Sequence, residues 1–270
     1  MNMQVKPTPL LSGIVRHFLL IESDTQSTMR IFSDGNTGVV FNYGDPLFYQ
    51  NEMHSGPAPL PASFLYGQLD TYRNVWAQGR IRLLIAVLYP FGAAALFKIP
   101  ASELRNQIIG CGEFFGTHIE SLNDQIASSP AIQDKIWAAE RFLLTHLQNP
   151  PKYNTLVTKT IDIIHSQNGL ISVAELTTLT GATERQLQRK FEEQIGISPK
   201  RYAGITRMQY ALRMLRKKSA HLSLAGVACE SGFFDQAHLI REMKNLSGLT
   251  PGQYLSPQNV LAANLIRLVH

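Results

Sequence analysis

The chain has 270 residues, of which 44% are hydrophobic, with 25 Lys/Arg against 20 Asp/Glu. That is room for two domains with buried cores, and it excludes a disordered chain. The excess positive charge is confined to one region: residues 168–256 carry 12 Lys/Arg and 7 Asp/Glu, and the rest of the chain carries 13 of each. A surface that neutralises phosphates would need such an excess, although chance imbalance is the competing explanation.

Cys111 and Cys229 lie far apart, and no CxxC or CxxH spacing occurs. No zinc site, other metal site or cofactor is therefore expected, and free thiols fit a reducing cytoplasm. The N-terminus has no signal-peptide pattern, and the apolar stretch Leu83 to Phe97, broken by Pro90 and Gly92, is too short to span a bilayer. A cytoplasmic protein without membrane contact is expected.

Residues 1–100 read as a β-rich domain. Ile14 to Glu22, Met29 to Ser33, Gly38 to Tyr43, Ser63 to Leu69, Tyr72 to Gln78 and Arg80 to Tyr89 have strand length and are rich in β-branched and aromatic residues. Asp34-Gly35, Gly44-Asp45-Pro46 and the Pro-rich run from Gly56 to Pro61 punctuate them as turns or loops. The pattern predicts a barrel-like or sandwich domain. It contains no H-x-H metal pair, phosphate loop or G-x-S-x-G elbow. Arg30, Tyr66, Tyr72, Trp76 and Arg82 form a candidate effector site at a barrel mouth, for an anionic or aromatic small molecule. The competing and favoured reading takes the aromatics as core and the arginines as strand edges. His17 and His54 have no carboxylate or nucleophile nearby in sequence and read as structural. Cys111 has no basic neighbour and reads as an inert thiol.

Residues 101–167 read as a helical connector. Short helices are expected from Ala101 to Ile108 and from Thr117 to Ala127. A longer one should start at Pro130, with Ile132, Ile136, Ala139, Phe142, Leu143 and Leu147 on one face. Another should run from Thr155 to Ser166. Asn149-Pro150-Pro151 and Gln167-Asn168-Gly169 interrupt the helices and read as flexible points.

Residues 168–256 contain one unit twice. Ser172 and Glu175 form a capping box, Gly181 stops that helix, Thr183 and Gln186 form a second box, and Leu187 and Phe191 lie on one face. The second copy runs from Ser223 through Gly232 to Asp235, Leu239 and Met243. The offset is 51 residues up to the glycine and 52 beyond it, so the second turn holds one extra residue. Two helices joined by a glycine turn are a helix-turn-helix, whose second helix enters the major groove. Arg185, Gln188 and Arg189 share one outward face, as do Ala237, His238 and Arg241, with Gln236 at the helix start. Arg suits guanine and Gln suits adenine. Between the copies, a single helix from Lys200 to Lys218 should bury Ile205, Met208, Leu212 and Leu215. The tail, residues 257–270, reads as a helix on the body of the protein, with no assigned place.

The tandem resembles the DNA-binding region of the AraC/XylS family of bacterial transcription regulators. The likeness rests on the paired motifs, on Gly232-Phe233-Phe234-Asp235-Gln236-Ala237-His238-Leu239-Ile240-Arg241 and on Gly248-Leu249-Thr250-Pro251. It implies base contacts from Arg185, Gln188, Arg189, Gln236, Ala237, His238 and Arg241. Two departures stand out: Gly226 lies inside a helix, at a cost of about 1 kcal/mol relative to Ala, and Met243 replaces the usual Phe. More loosely, Ser33-Asp34-Gly35, Gly67-Gln68, and the run from Pro90 to Leu104 resemble a sensor-like domain of one subgroup. Phosphate contacts are expected from Ser172, Lys190, Lys200, Arg201, Ser223 and Lys244.

The expected protein is a two-domain α+β transcription regulator: a β-rich sensor, a helical connector and an all-α DNA reader. Its expected partner is double-stranded DNA. RNA polymerase, a small-molecule effector and a second copy of the chain are the further candidates, and activator and repressor roles stay open. The competing readings make the N-terminal domain a ligand-free oligomerisation or partner-binding module, or an enzymatic barrel. No clustered titratable groups in the sequence support the last, so no enzymatic activity is expected.

Overall fold

The computed structural model describes residues 2–50, 57–147, 155–217, 223–255, 260–262 and 264–268. His54, Gly56, Asn149-Pro150-Pro151 and Lys218 lie outside them.

The N-terminal half begins with nine strands: β1 (Asn2–Val5), β2 (Val15–Ser23), β3 (Ser27–Ile31), β4 (Thr37–Asn42), β5 (Leu47–Gln50), β6 (Pro57–Pro59), β7 (Ser63–Tyr66), β8 (Arg73–Ala77) and β9 (Ile81–Leu88). Helices α1 (Gly92–Phe97) and α2 (Ala101–Leu104) follow, then β10 (Ile108–Gly110), α3 (Gly112–Phe115), α4 (His118–Ser128) and α5 (Ile132–His146). The helical half contains α6 (Thr155–Ser166), α7 (Val173–Thr180), α8 (Glu184–Gln194), α9 (Pro199–Arg216), α10 (Leu224–Glu230), α11 (Gln236–Ser247) and α12 (Pro251–Tyr254). The chain then returns to the first half as β11 (Val260–Ala262) and β12 (Leu265–Leu268).

Two six-stranded sheets result, ordered β1-β2-β9-β4-β7-β10 and β11-β12-β3-β8-β5-β6. They are open sheets packed face to face and do not close into a barrel. The strands obey a side-chain period of two, and both faces of each sheet are used. In β9, Leu83, Ile85 and Val87 point between the sheets, while Leu84, Ala86 and Leu88 join the core under α4 and α5. In the second sheet Met29 and Val75 point inward, while Phe32 joins the core of the helical half. The order of layers is therefore helices, first sheet, second sheet, helical half.

Three sequence expectations change here. Residues 108–110 pair with β7 and belong to the first sheet, where a helix was expected through Ile108. Helix α6 contributes Val157, Ile161 and Ile164 to the same core as α8, α9 and α11, so it is part of the helical half and not of a connector. The tail is a hairpin and not a helix: Leu265, Ile266, Arg267 and Leu268 pair antiparallel with Ile31, Arg30, Met29 and Thr28. Asn264 reinforces the pairing, since Phe32 N–H donates to its carbonyl oxygen and its Nδ2 donates to Phe32 O, both at 3.1 Å. Leu265 is 5% exposed and faces between the sheets, whereas Ile266 is 1% exposed and sits in the helical core.

Direct contacts join the two halves elsewhere. Arg30 Nη1 donates to Gly248 O at 3.0 Å, Arg201 Nη2 to Asp70 O at 2.6 Å, and Gln209 Nε2 to Ser33 O at 3.0 Å. Burial opposes ionisation of Asp70, but hydrogen bonds from Arg105 and Asn106 and the charges of Arg105 and Arg201 outweigh it and hold its pKa below the usual value. The Gln167-Asn168-Gly169 segment is a tight turn. Gly169 has φ +77°, is buried, and touches α9 so closely that a Cβ would collide with Ala203 O.

Candidate nucleic-acid interface and effector cavity

Each recognition helix is built by its caps and its apolar stripe. Ser172 Oγ accepts the Glu175 N–H while the Glu175 carboxylate accepts the Ser172 N–H, which starts α7. Gly181, at φ +72°, ends it in the left-handed conformation. The Thr183/Gln186 box starts α8, and fully buried Leu187 and Phe191 seat it on the core. In the second copy Ser223 caps α10, Gly232 takes φ +68°, and Asp235 caps α11 by accepting the His238 N–H at 2.6 Å. Leu239 and Met243 are fully buried, so the Met at the departure position fills the core site. Gly226 sits in the first turn of α10, where its N–H donates to Ser223 Oγ at 3.1 Å.

This packing leaves the other faces open. Arg185 and Arg189 on α8 are exposed and Gln188 is half-exposed, its Nε2 donating to Glu192 Oε1 at 2.6 Å. On α11, Gln236, Ala237 and Arg241 are exposed and His238 is half-exposed. His238 Nδ1 accepts the Phe234 N–H at 3.3 Å, so in the neutral ring the proton sits on Nε2. Helix α9 joins the two units. Its 18 residues span roughly 27 Å at 1.5 Å per residue, and Ile205, Met208, Leu212 and Leu215 are buried as the spacing predicts.

The six expected phosphate-contacting residues divide. Ser172 and Ser223 are exposed N-caps, Lys200 and Lys244 are exposed, and Lys190 pairs with Glu193 at 2.9 Å. Arg201 faces the other way: its guanidinium is committed to Asp70 of the N-terminal half.

The five expected effector residues do not converge either. A cavity of about 520 Å³ lies between the two sheets, and only Tyr66 of the five lines it. Side-chain parity explains the rest. Arg30 is the register partner of Ile266 and leaves on the outer face, where it lies 4.2 Å over the Tyr72 ring and bonds Gly248. Trp76 stacks on Phe48 outside the cavity. Arg82 points to the opposite face of β9 from Leu83 and pairs with Asp24. Gly38 makes room for Tyr66, since a Cβ there would lie 2.5 Å from the Tyr66 hydroxyl.

The cavity walls are apolar: Leu19, Met29, Val40, Phe64, Val75 and Ile85 are among them. Its mouth is polar and cationic. Arg16, His17 and Arg73 come from the sheets, His165 from α6, and Gln209 and Arg213 from α9, with Asp34 the single acidic residue among the described residues of the lining. A register shift between Val15 and His17 in β2 re-aims the strand so that both Arg16 and His17 reach the mouth. Burial and the Arg16 charge lower the pKa of His17, against a smaller opposing effect of Asp34. Burial also lowers that of His165, which bonds Tyr202 Oη at 2.9 Å and feels Arg16 and Arg213. Cys111 is fully buried and burial pushes its thiol up to about 12, as an inert thiol requires. Among the described residues no cluster of His, Cys, Asp and Glu has metal-binding geometry, and no helix is long and apolar enough to cross a membrane.

Two family profiles match the chain: a domain of unknown function, DUF6597, over residues 3–110, and a helix-turn-helix domain over residues 176–256. An uncharacterized HTH-type transcriptional regulator of Haemophilus influenzae is 35% identical over 82 residues, 30% of this chain and 26% of that protein. The probable transcriptional regulator LumQ of Photobacterium leiognathi is 30% identical over 84 residues, 31% of this chain and 33% of that protein. The chain thus matches about a quarter to a third of the length of these relatives. Apo ToxT from Vibrio cholerae is similar in fold, with a TM-score of 0.50 and 11% identity over 88% of this chain and 96% of that one. ToxT bound to an unsaturated fatty acid gives a TM-score of 0.49 and 12% identity over 88% and 94%. Residues 176–256 are a helix-turn-helix domain, and over this part the chain is similar to these helix-turn-helix transcriptional regulators.

Proposed function

We propose that this protein is a cytoplasmic, sequence-specific DNA-binding transcription regulator. The observation that carries the proposal is the pair of recognition helices, α8 and α11, each capped, each seated by a buried apolar pair and each open on a polar face. Successive major grooves on one face of B-DNA lie about 34 Å apart, a separation that α9 and its flanking turns can bridge. Arg185, Gln188, Arg189, Gln236, Ala237, His238 and Arg241 read bases. Ser172, Lys190, Lys200, Ser223 and Lys244 hold phosphates and set the register. Selection from a random duplex pool tests this: one enriched sequence protected over two adjacent major grooves supports it, and no enrichment defeats it.

The N-terminal half is proposed to bind a small amphipathic anion between its sheets. The cavity falls within the range of about 300–1,000 Å³ typical of ligand pockets, and its apolar body and cationic mouth match that chemistry. A molecule there touches both sheets, Thr206, Gln209 and Arg213 on α9, and Ala262, Asn264 and Leu265 in the tail. It therefore contacts both halves at once, which is what a ligand needs in order to favour one arrangement of them over another. The test is the DNA affinity of the intact chain with and without medium-chain carboxylates, beside tight binding of the same compounds to the chain alone. Contact with RNA polymerase and pairing with a second copy belong to the same proposal. For the pairing, the apolar surface around Leu10 and Trp137, the latter 56% exposed, is the candidate face.

A further inference from the structure

The two helix-turn-helix copies differ in length by one residue, and that residue is placed unlike any other apolar side chain described. Between the left-handed glycine and the N-cap, the first copy has Ala182 alone and the second has Phe233 and Phe234. Phe233 takes the place of Ala182, since both lie against the helical core. The Arg207 guanidinium sits 4.8 Å over its ring and His238 meets it edge-on at 5.5 Å. Phe234 is the addition. It is 92% exposed and joins no core, so burial in this chain is not what it contributes. Its backbone is nevertheless fixed, because its N–H is held by His238 Nδ1 and the next residue is the N-cap of α11. The ring stands on a rigid turn at the leading end of a recognition helix, beside Gln236 and Ala237, in a domain with excess positive charge.

A phenyl ring has no hydrogen-bonding atom and cannot read donors and acceptors. The apolar group that the major groove offers is the 5-methyl of thymine. We propose that Phe234 is a specificity-determining residue that reads one thymine methyl in the groove entered by α11, an inference that rests on the DNA-binding function proposed above. Its neighbour complements it. With Nδ1 occupied, His238 presents Nε2–H and donates to an acceptor such as a purine N7 or thymine O4, and it does not accept from cytosine N4 or adenine N6.

The test uses the full-length chain and the duplex it enriches from a random pool. Each thymine is replaced singly by deoxyuridine, which removes only the methyl group. The unmodified chain is expected to lose affinity roughly three- to ten-fold at one thymine under α11, about the effect of one or two buried carbons. Phe234→Ala is expected to lose a similar factor on the all-thymine duplex and to be indifferent to deoxyuridine at that position, while Phe234→Leu keeps part of the effect. Thermal midpoints of both variants should match the parent, since the side chain is exposed. Specific binding with no thymine whose methyl effect disappears in Phe234→Ala overturns the inference. Equal loss by Phe234→Ala on enriched and random DNA overturns it as well, because that marks a backbone contact. Failure to enrich any sequence defeats the DNA-binding proposal itself and takes the inference with it.

Discussion

Ile266→Ala tests whether the C-terminal strand is a structural part of both halves. The change deletes three carbons from a side chain that is 1% exposed. At about 0.8 kcal/mol per carbon plus a cavity penalty, the expected cost is about 2–4 kcal/mol. At about 2–4 °C per kcal/mol for a chain of this class, the midpoint should fall by roughly 5–15 °C. The adjacent Leu265→Ala deletes the same number of carbons on the opposite face, between the sheets. Both tryptophans, Trp76 and Trp137, lie in the N-terminal half, so fluorescence follows that half alone. Hydrogen exchange at α9 and α11 follows the other. Because Ile266 packs in the helical core while its backbone pairs with β3, its loss should lower protection in α9 and α11 and shift the fluorescence transition together. If Ile266→Ala leaves exchange in α9 and α11 unchanged while Leu265→Ala shifts fluorescence, the strand belongs to one half only and the reasoning fails.

Other outcomes follow from the same geometry. Arg189→Ala and Arg241→Ala should each cost about 1–3 kcal/mol on the selected site and relax preference at one or two bases. Lys190→Ala should weaken binding to all DNA alike and flatten the salt dependence, as parallel titrations on specific and random duplexes would show. Arg213→Ala should weaken carboxylate binding to the chain while leaving the DNA affinity of the ligand-free protein within a few-fold, measurable by calorimetry and gel shift. His17 and His165 have pKa values lowered from 6.5 in the folded chain, so the unfolded chain binds more protons below about 6.5. Stability should therefore fall as pH drops from 7.5 towards 5. An anion at the cavity mouth favours the protonated rings, so its binding should take up protons and tighten over the same interval, which calorimetry in buffers of different ionisation enthalpy would reveal.

Much of the helical half was legible in the chain because its determinants are local. A capping box needs residues three apart, a left-handed glycine needs only its own φ, and a buried stripe needs one helix. Ser172/Glu175, Gly181, Thr183/Gln186, Asp235 and the inward Leu187, Phe191, Leu239 and Met243 all appear where spacing puts them. Strands β2, β3, β4, β7, β8 and β9 were visible for the same reason, but the short β1, β5, β6 and β10 were not, nor were the faces of any. In β9 and β4 both faces are buried, so polar alternation is absent and nothing local tells Leu83 from Leu84. The sequence alone thus places Arg30 and Arg82 in a site from which the strand period turns them away. Arg16, His17, Arg73, His165 and Arg213 come from four separate elements, β2, β8, α6 and α9, and meet only because the helical half packs against the sheets. The tail shows the limit most plainly. Leu265 and Ile266 read as an apolar helix stripe, yet an unpaired β3 edge, more than two hundred residues earlier, offers them backbone hydrogen bonds and an apolar surface on each side. Local propensity sets which short segments are able to form; pairing with a distant edge decides which of them do, because the buried area and the ladder of bonds exist only once that edge has been built.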